Sequence, residues 1–284
     1  GWLENSKYKK NIEFVLGDIR DYDSVSKVVK KSKLCLHLAA LIGIPYSYSS
    51  PLAYLKTNIE GTYNILESAK NSNIEQLLIT STSETYGSAQ YEPMDENHPL
   101  IGQSPYSASK IAADQLSISY YRSFSLPLKI IRPFNVYGPR QSLRALIPTI
   151  INQLLQSNKI SLGNLNVYRD FTFVEDLCKA YEAVLKSSFF YGNVVNVGTN
   201  KNWSVLDIVN MIAKELKITN FKIINDKIRK RPDNSEVFNL ICDNNFLLKN
   251  SKWKPTYSIS KGLRKTIKWY SNNKSLFKNS SYYV

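Results

Sequence analysis

One feature constrains this chain more than any other. Through residues 11–133, short apolar runs alternate with longer stretches whose apolar residues recur at helical spacing. Asn11–Asp18, Leu34–Ala39, Gln76–Ser81 and Leu128–Pro133 read as strands. Tyr22–Lys31, Ala53–Asn71 and Tyr106–Phe124 read as helices; in the second, Leu55, Ile59, Tyr63 and Leu66 share one face. A β-α alternation of this kind builds a parallel sheet with helices on both faces. Ligands of such sheets bind at the carboxyl ends of the strands, so the loops after Leu16, Leu38, Ile79 and Ile131 are the ones to read for function. The second half is less regular. Leu146–Gln156, Val174–Lys186, Ser204–Leu216 and Ile259–Tyr270 read as helices, and Val194–Val197 and Phe221–Ile224 as strands. The polar tail from Asn272 is expected to fray.

Charge and composition narrow the partners. Lys and Arg number 37 against 23 Asp and Glu, a net charge of +14. The basic residues are scattered, and no basic block is interleaved with aromatics, which excludes the compact footprint of a nucleic-acid binder. An anionic small ligand remains. Cys35, Cys178 and Cys242 lie far apart, and His37 and His98 are the two histidines. Neither a disulfide framework nor a zinc site fits that spacing, and a reducing cytoplasm is the expected location. The longest apolar run, Leu34 to Pro45, is broken by His37 and is too short to cross a bilayer. No signal-type segment opens the chain.

The glycines pose a problem. Before position 60 they are Gly1, Gly17 and Gly43, and no Gly-x-Gly-x-x-Gly follows a strand. Either the chain binds no dinucleotide, or the first β-α-β unit lies outside this sequence.

Tyr-x-x-x-Lys occurs at Tyr106/Lys110, Tyr257/Lys261 and Tyr270/Lys274 in a chain with 19 tyrosines. An isolated pair is most often a surface tyrosine beside a solvated lysine. Context singles out the first. Tyr106 and Lys110 sit one turn apart on one helix face, after a Ser104-Pro105 start. The strand before ends in Ser81-Thr82-Ser83-Glu84, and the strand after in Arg132-Pro133-Phe134-Asn135. A phenol titrates near 10 and is a poor base at neutral pH; an ammonium close by lowers that value by roughly one to three units. Such a pair suits removal of a proton from a sugar hydroxyl as hydride leaves for a nicotinamide.

These segments together resemble the extended short-chain dehydrogenase/reductase family, specifically its nucleotide-sugar 4,6-dehydratases. The resemblance runs through Gly17-Asp18-Ile19, Leu38-Ala39-Ala40, Thr57-Asn58-Ile59-Glu60-Gly61-Thr62, Ser81–Gly87, Tyr106–Lys110, Arg132–Arg140, Arg169-Asp170-Phe171, Asn196-Val197-Gly198 and Arg231-Pro232, in family order. It implies an α/β fold: a Rossmann-like doubly wound parallel sheet, N-terminally truncated, with a smaller C-terminal α/β substrate domain. The division expected is 1–160 for the dinucleotide and 161–284 for the nucleotide-sugar, partly interleaved. The Gly-rich unit would precede Gly1.

The resemblance also implies roles. The cofactor would be NAD. Asp18 and Ile19 would lie along its adenine, Ala39 and Ala40 would line its path, and Pro133 would pack near the nicotinamide. Tyr106 and Lys110 would form the oxidising pair, with Lys110 also on the nicotinamide ribose. Thr82 would hydrogen-bond the 4-oxygen of the substrate, Asn135 would touch its diphosphate, Arg169 and Arg231 would clamp phosphate or nucleotide, and Asn196 would help hold the nucleotide. Arg144 is a further candidate for substrate. Asn58 reads equally well as a cap, and His37 as a strand residue. A homodimer is implied.

Glu84 separates the reaction classes. Once C4 is a ketone, the C5 proton is acidic, and a carboxylate can take it while water leaves from C6. Many epimerases of the family have small apolar residues at Ser83-Glu84. Some dehydratases have Thr-Asp-Glu, where Asp protonates the leaving hydroxyl; here Ser83 stands in that place. Thr-Ser-Glu also occurs in guanosine-diphosphate-mannose dehydratases, so dehydration stays open, and in nucleotide-glucuronate decarboxylases, the alternative reading beside a 4-epimerase. Ala39–Ser47 and Tyr137–Ile151 resemble dehydratases of nucleotide-linked N-acetylglucosamine from legionaminic-acid-type routes. A reading of another class is an inactive fragment without NAD affinity.

Overall fold

A computed structural model describes residues 3–4, 6–226 and 229–277. Four parallel strands form its main sheet in the order β1 (Leu34–His37), β2 (Gln76–Thr80), β3 (Leu128–Pro133), β7 (Val194–Val197). Leu77 pairs with Leu128, and Ile130 with Val194. Alternation along each strand sends side chains to two faces. Leu77, Ile79, Leu128 and Ile130 meet α1 (Tyr22–Val29), α4 (Gly61–Lys70) and α5 (Pro105–Phe124) through Val25, Val29, Ile65, Leu66 and Tyr120. Leu78, Ile131, Val195 and Val197 meet α7 (Val174–Lys186) through Ala180 and Val184 on the opposite face. Because both faces are covered, the strands read as near-continuous apolar runs. This is the Rossmann-type α/β arrangement.

The two cations inside β3 follow the same alternation. Lys129 points to the α7 face, where its Nζ donates to the carbonyls of Val184 and Leu185 at 2.9 Å and closes the C-terminus of that helix. Arg132 points to the α5 face and pairs with Asp114 at 2.7 Å, both side chains being buried.

The C-terminal half adds a second sheet, β10 (Asn239–Leu240), β6 (Tyr168–Phe173) and β4 (Asn135–Tyr137), with β8 (Asn202–Ser204) antiparallel to β6. A parallel pair, β5 (Lys159–Leu162) and β9 (Lys222–Asn225), lies apart. Helices α6 (Leu146–Gln156), α8 (Val205–Glu215) and α10 (Ile259–Asn272) pack around Tyr137, Phe171 and Phe173 in a separate core. Strand β7 belongs to this half in sequence but to the main sheet in space. No described helix is long and apolar enough to cross a membrane.

Two expectations need correction. Asn11–Asp18 is not a strand: it pairs with no strand among the described residues, and Phe14, Val15 and Leu16 are exposed. An extended run becomes a strand only where an edge takes its N–H and C=O groups. Ala53–Asn71 is helical but not uniform, because a π turn over Leu55–Glu60 interrupts it. Of the polar tail, Lys274–Phe277 forms a 3-10 turn, and residues 278–284 lie outside those described.

Arg169 and Asp170 are adjacent on β6 and therefore face opposite ways. Asp170 is fully buried and accepts from Thr199 N at 2.8 Å, Asn200 N at 2.8 Å, Thr199 Oγ1 at 2.6 Å and Cys242 N at 3.3 Å. It ties the turn after β7 to the 242 segment. Asp170→Ala leaves those buried donors unpaired and is expected to lower stability by about 2–3 kcal/mol, read as a lower urea midpoint at unchanged slope.

Candidate active site

Helix α5 starts where Ser104 caps it. Ser104 Oγ accepts from Ser107 N at 3.1 Å, Ser107 Oγ accepts from Ser104 N at 2.9 Å, and Pro105 takes the first helical position. The cap sets Tyr106 in the first turn and Lys110 in the second. Both are buried, and Lys110 Nζ donates to the carbonyl of Thr80 at 2.7 Å, at the carboxyl end of β2. Immediately beyond, Thr82 caps a 3-10 turn, Ser83–Tyr86, by accepting from Glu84 N at 3.3 Å. Thr82, Ser83 and Glu84 are thus held on one tight turn against Tyr106.

The electrostatics of Tyr106 differ from the sequence argument. Burial raises the phenol pKa, the neighbouring Thr82 hydroxyl pulls it down less strongly, and the Glu84 charge raises it further. The Lys110 ammonium donates to Thr80 O rather than to the phenol. Burial also lowers the pKa of Lys110 itself, opposed by Asp114 one turn on. Both groups are buried on one helix, and burial keeps the phenol protonated in this state.

Glu84 meets two arginines. Arg231 grips it with Nη1 to Oε2 at 3.2 Å and Nη2 to Oε1 at 3.3 Å. Burial raises the pKa of Glu84, but the charges of Arg231 and Arg169 outweigh it and leave the carboxyl below its ordinary value. Arg169 is buried on β6, where burial pushes its pKa down to about 10 and Glu84 supports its charge. The arginines thus converge on the 3-10 turn.

The remaining candidates spread around this centre. Ala39 and Ala40 lie in the loop after β1, exposed and half-buried, with no bulk to block that strand end. Asp18 is exposed and bonded to Arg20, which lowers its pKa to about 2. Ile19 anchors the Asp18 segment: it packs on Gly61, where an added Cβ would meet it at 2.5 Å, and its carbonyl accepts from Asn64 Nδ2 at 2.9 Å. Pro133 is buried at the end of β3. Asn135 follows on β4, and its buried Oδ1 has no hydrogen-bond partner among the described residues. Arg144 is exposed but near enough to Tyr54 to act on its phenol. Asn196 is not brought to the cleft. It is buried, with Oδ1 accepting from Tyr86 at 2.7 Å and Nδ2 donating to Met94 O at 3.2 Å, so it supports Tyr86.

The sequence leaves Asn58 open between a site role and a cap, and it does not single out Tyr54 or Asp114. Asn58, inside the π turn, donates to Leu41 O at 3.0 Å and Ser109 Oγ at 2.9 Å and accepts from Leu41 N at 2.9 Å. It ties the loop after β1 to the residue beside Lys110. Tyr54 packs edge-on against Tyr106 at 6.1 Å. Asp114 was legible as a third residue at four-residue spacing after Tyr106 and Lys110. His37 bonds Thr62 Oγ1 at 3.0 Å inside the protein, and burial lowers its pKa to about 3.

A helix-borne Tyr/Lys pair at the carboxyl end of a Rossmann-type sheet defines a short-chain dehydrogenase-type α/β protein. The chain belongs within that class to the GDP-mannose 4,6 dehydratase family, whose model matches residues 2–266. It is 31% identical to dTDP-D-glucose 4,6-dehydratase of Dictyostelium discoideum, over 95% of this chain and 72% of that one. It is 32% identical to a putative UDP-glucose 4-epimerase of Methanocaldococcus jannaschii, over 92% of this chain and 85% of that one. Among solved structures, a dTDP-glucose 4,6-dehydratase of Streptomyces venezuelae with NAD and TYD bound superimposes with a TM-score of 0.86 at 25% identity, covering 94% of this chain and 81% of that one.

Proposed function

We propose that the protein is an NAD-dependent nucleotide-sugar 4,6-dehydratase acting on a nucleotide-linked N-acetylglucosamine. The observation that carries this reading is the placing of the Glu84 carboxylate on the turn that also presents Thr82 to Tyr106. A dehydratase needs a base for C5 beside its oxidising pair, and the simple 4-epimerisation does not.

The residues fit the cofactor. Lys110 is buried, yet among the described residues its ammonium makes one hydrogen bond, to Thr80 O, which leaves donors for ribose hydroxyls. Ala39 and Ala40 leave room at the strand end, and Asp18 and Ile19 would meet the adenine. NAD, when bound, supplies the hydride acceptor for C4, the donor for C6 and a positive charge that favours the phenolate. Tyr106 then takes the proton of the 4-hydroxyl, while Thr82 holds that oxygen. Glu84 takes the C5 proton and passes it to the 6-hydroxyl, which leaves as water beside Ser83. Asn135, through its amide Nδ2, and the arginines Arg144, Arg169 and Arg231 hold the nucleotide diphosphate and sugar. Residues 1–160 carry the cofactor and the reacting groups in this reading, residues 161–284 bring Arg169 and Arg231 to the nucleotide, and the two parts are interleaved.

A second reading has its own observation: two guanidiniums beside Glu84 also suit the carboxylate of a nucleotide-glucuronate. A structural neighbour, the UDP-glucuronic acid 4-epimerase of Bacillus cereus, has a TM-score of 0.86 and 28% identity. Incubation with NAD in deuterated water and UDP-N-acetylglucosamine, followed by NMR, distinguishes them. The expected product is a 4-keto-6-deoxy sugar with deuterium at C5. Release of carbon dioxide from UDP-glucuronate, or its 4-epimerisation, with UDP-N-acetylglucosamine untouched, would replace the dehydratase assignment.

A further inference from the structure

Glu84 and Arg231 are given tasks that their contact opposes. A carboxylate gripped by a guanidinium fork is a weak base, and a guanidinium so occupied is not free for phosphate. The grip is nonetheless loose. Its two contacts, 3.2 and 3.3 Å, exceed the roughly 2.7–2.9 Å of strong charge-assisted bonds. A second carboxylate stands behind it: Glu236 Oε1 lies 3.9 Å from Arg231 Nε and 3.7 Å from Arg169 Nη2. Two carboxylates and two guanidiniums therefore form a cluster that is neutral while no ligand is present. Arg231 is the more exposed of the two arginines, 21% against 6% for Arg169.

We propose that Arg231 locks Glu84 in the ligand-free protein, and that a nucleoside diphosphate opens the lock by drawing Arg231 onto its phosphates. The inference rests on the nucleotide-sugar reading and adds a coupling between substrate charge and the C5 base. Phosphates seated at Arg231 and Arg169 bring more negative charge than the neutral cluster balances. Glu236 keeps a carboxylate beside both arginines when Arg231 turns away, so neither is stranded. Glu84 has no such substitute.

The charged and titratable groups facing Glu84 are Arg231 on the 229–236 segment, Arg169 on β6 and Tyr106 on α5. Losing Arg231 leaves Glu84 with its burial and with one arginine shared with the phosphates. Its pKa then rises, because burial is less opposed, and a carboxylate that holds a proton more readily is a better general base. The base is thereby armed only when the anionic end of the substrate is seated.

The test uses nucleotides without sugar, so no turnover is needed. UDP, dTDP and GDP are titrated in turn into the protein by calorimetry at about pH 5.5, in two buffers of different ionisation enthalpy. The terminal phosphate itself gives up protons when it meets arginines, so the lock is read as a difference between variants. The wild type is predicted to take up more protons per nucleotide bound than Glu84→Gln, by up to about one, because Glu84 gains affinity for a proton as Arg231 leaves. The difference is expected to shrink when Arg231→Gln is compared with Arg231→Gln/Glu84→Gln, where Glu84 is already unlocked and Arg169 still binds the phosphates, and to be partly restored in an Arg231→Lys background. Equal proton counts in the wild type and Glu84→Gln, or a difference unchanged by Arg231→Gln, overturns the lock and leaves the nucleotide-sugar reading standing. Failure of all three nucleotides to bind overturns both.

Discussion

Tyr106→Phe is expected to leave the protein folded and to abolish reduction of NAD by substrate. The ring is what the fold uses: it packs edge-on against Tyr54, beside Ile44. Phe keeps that packing and removes only the oxygen. In the proposed reaction the oxygen is the working part: it faces Thr82 and would accept the proton of the 4-hydroxyl. Burial raises its pKa in the ligand-free protein, so proton transfer depends on positive charge arriving with the oxidised cofactor and on Lys110. Without the phenol, hydride departure from C4 has no partner proton transfer, and the loss is about 10²–10⁴-fold. Stopped-flow absorbance of NADH with substrate reads the step directly, and the thermal midpoint should stay close to wild type. Near-normal NADH formation would remove Tyr106 from this role. Lys110→Met should behave differently, since it takes a charge and a bond to Thr80 out of a buried site.

The two regular halves of this molecule were unequally legible, for physical reasons. The main sheet is covered on both faces, so β1, β2, β3 and β7 appear in the sequence as apolar runs, and the helices between them as periodic ones. The strands of the second sheet are short and mixed. Tyr168–Phe173 contains Arg169 and Asp170, each with buried partners that only the folded chain supplies, and β10 has two residues. Asn11–Asp18 looks like a strand by composition, yet pairing is a property of a neighbour and not of the segment. At the site, the local signals were sound: Ser104-Pro105 before Tyr106, and Thr82 through Glu84 after a strand. What failed was anything decided by long-range charge. Glu84 and Arg231 are 147 positions apart, and nothing in either segment announces that they meet. Glu236 lies five positions beyond Arg231 in an irregular segment, where periodicity carries no information. Asn196 sits in a family-like motif, but its amide is used by Tyr86 and Met94, partners invisible from its neighbours in sequence.

Glu84→Gln is expected to separate oxidation from elimination. Gln has nearly the size of Glu and keeps an oxygen toward Arg231, but it cannot accept the C5 proton. Oxidation at C4 is proposed to use Tyr106, Thr82, Lys110 and NAD, and the substitution leaves those residues in place. It also takes a negative charge away from Tyr106, a charge that holds the phenol pKa up, so the first step should be no slower. Elimination should slow by about 10²-fold or more, the scale set by loss of a positioned base. The result to look for is a burst of NADH that persists, with a 4-keto sugar nucleotide still carrying its 6-hydroxyl in quenched samples. Exchange of solvent deuterium into C5 should fall in parallel, since the same proton is involved. Folding is a separate matter: Arg231 loses its counter-charge but retains Glu236, so the cost in stability stays below that of stranding a guanidinium with no carboxylate near it. If Glu84→Gln eliminated water at the wild-type rate, the C5 base would have to be sought elsewhere in the cleft, and the difference between this site and that of a 4-epimerase would no longer rest on Glu84.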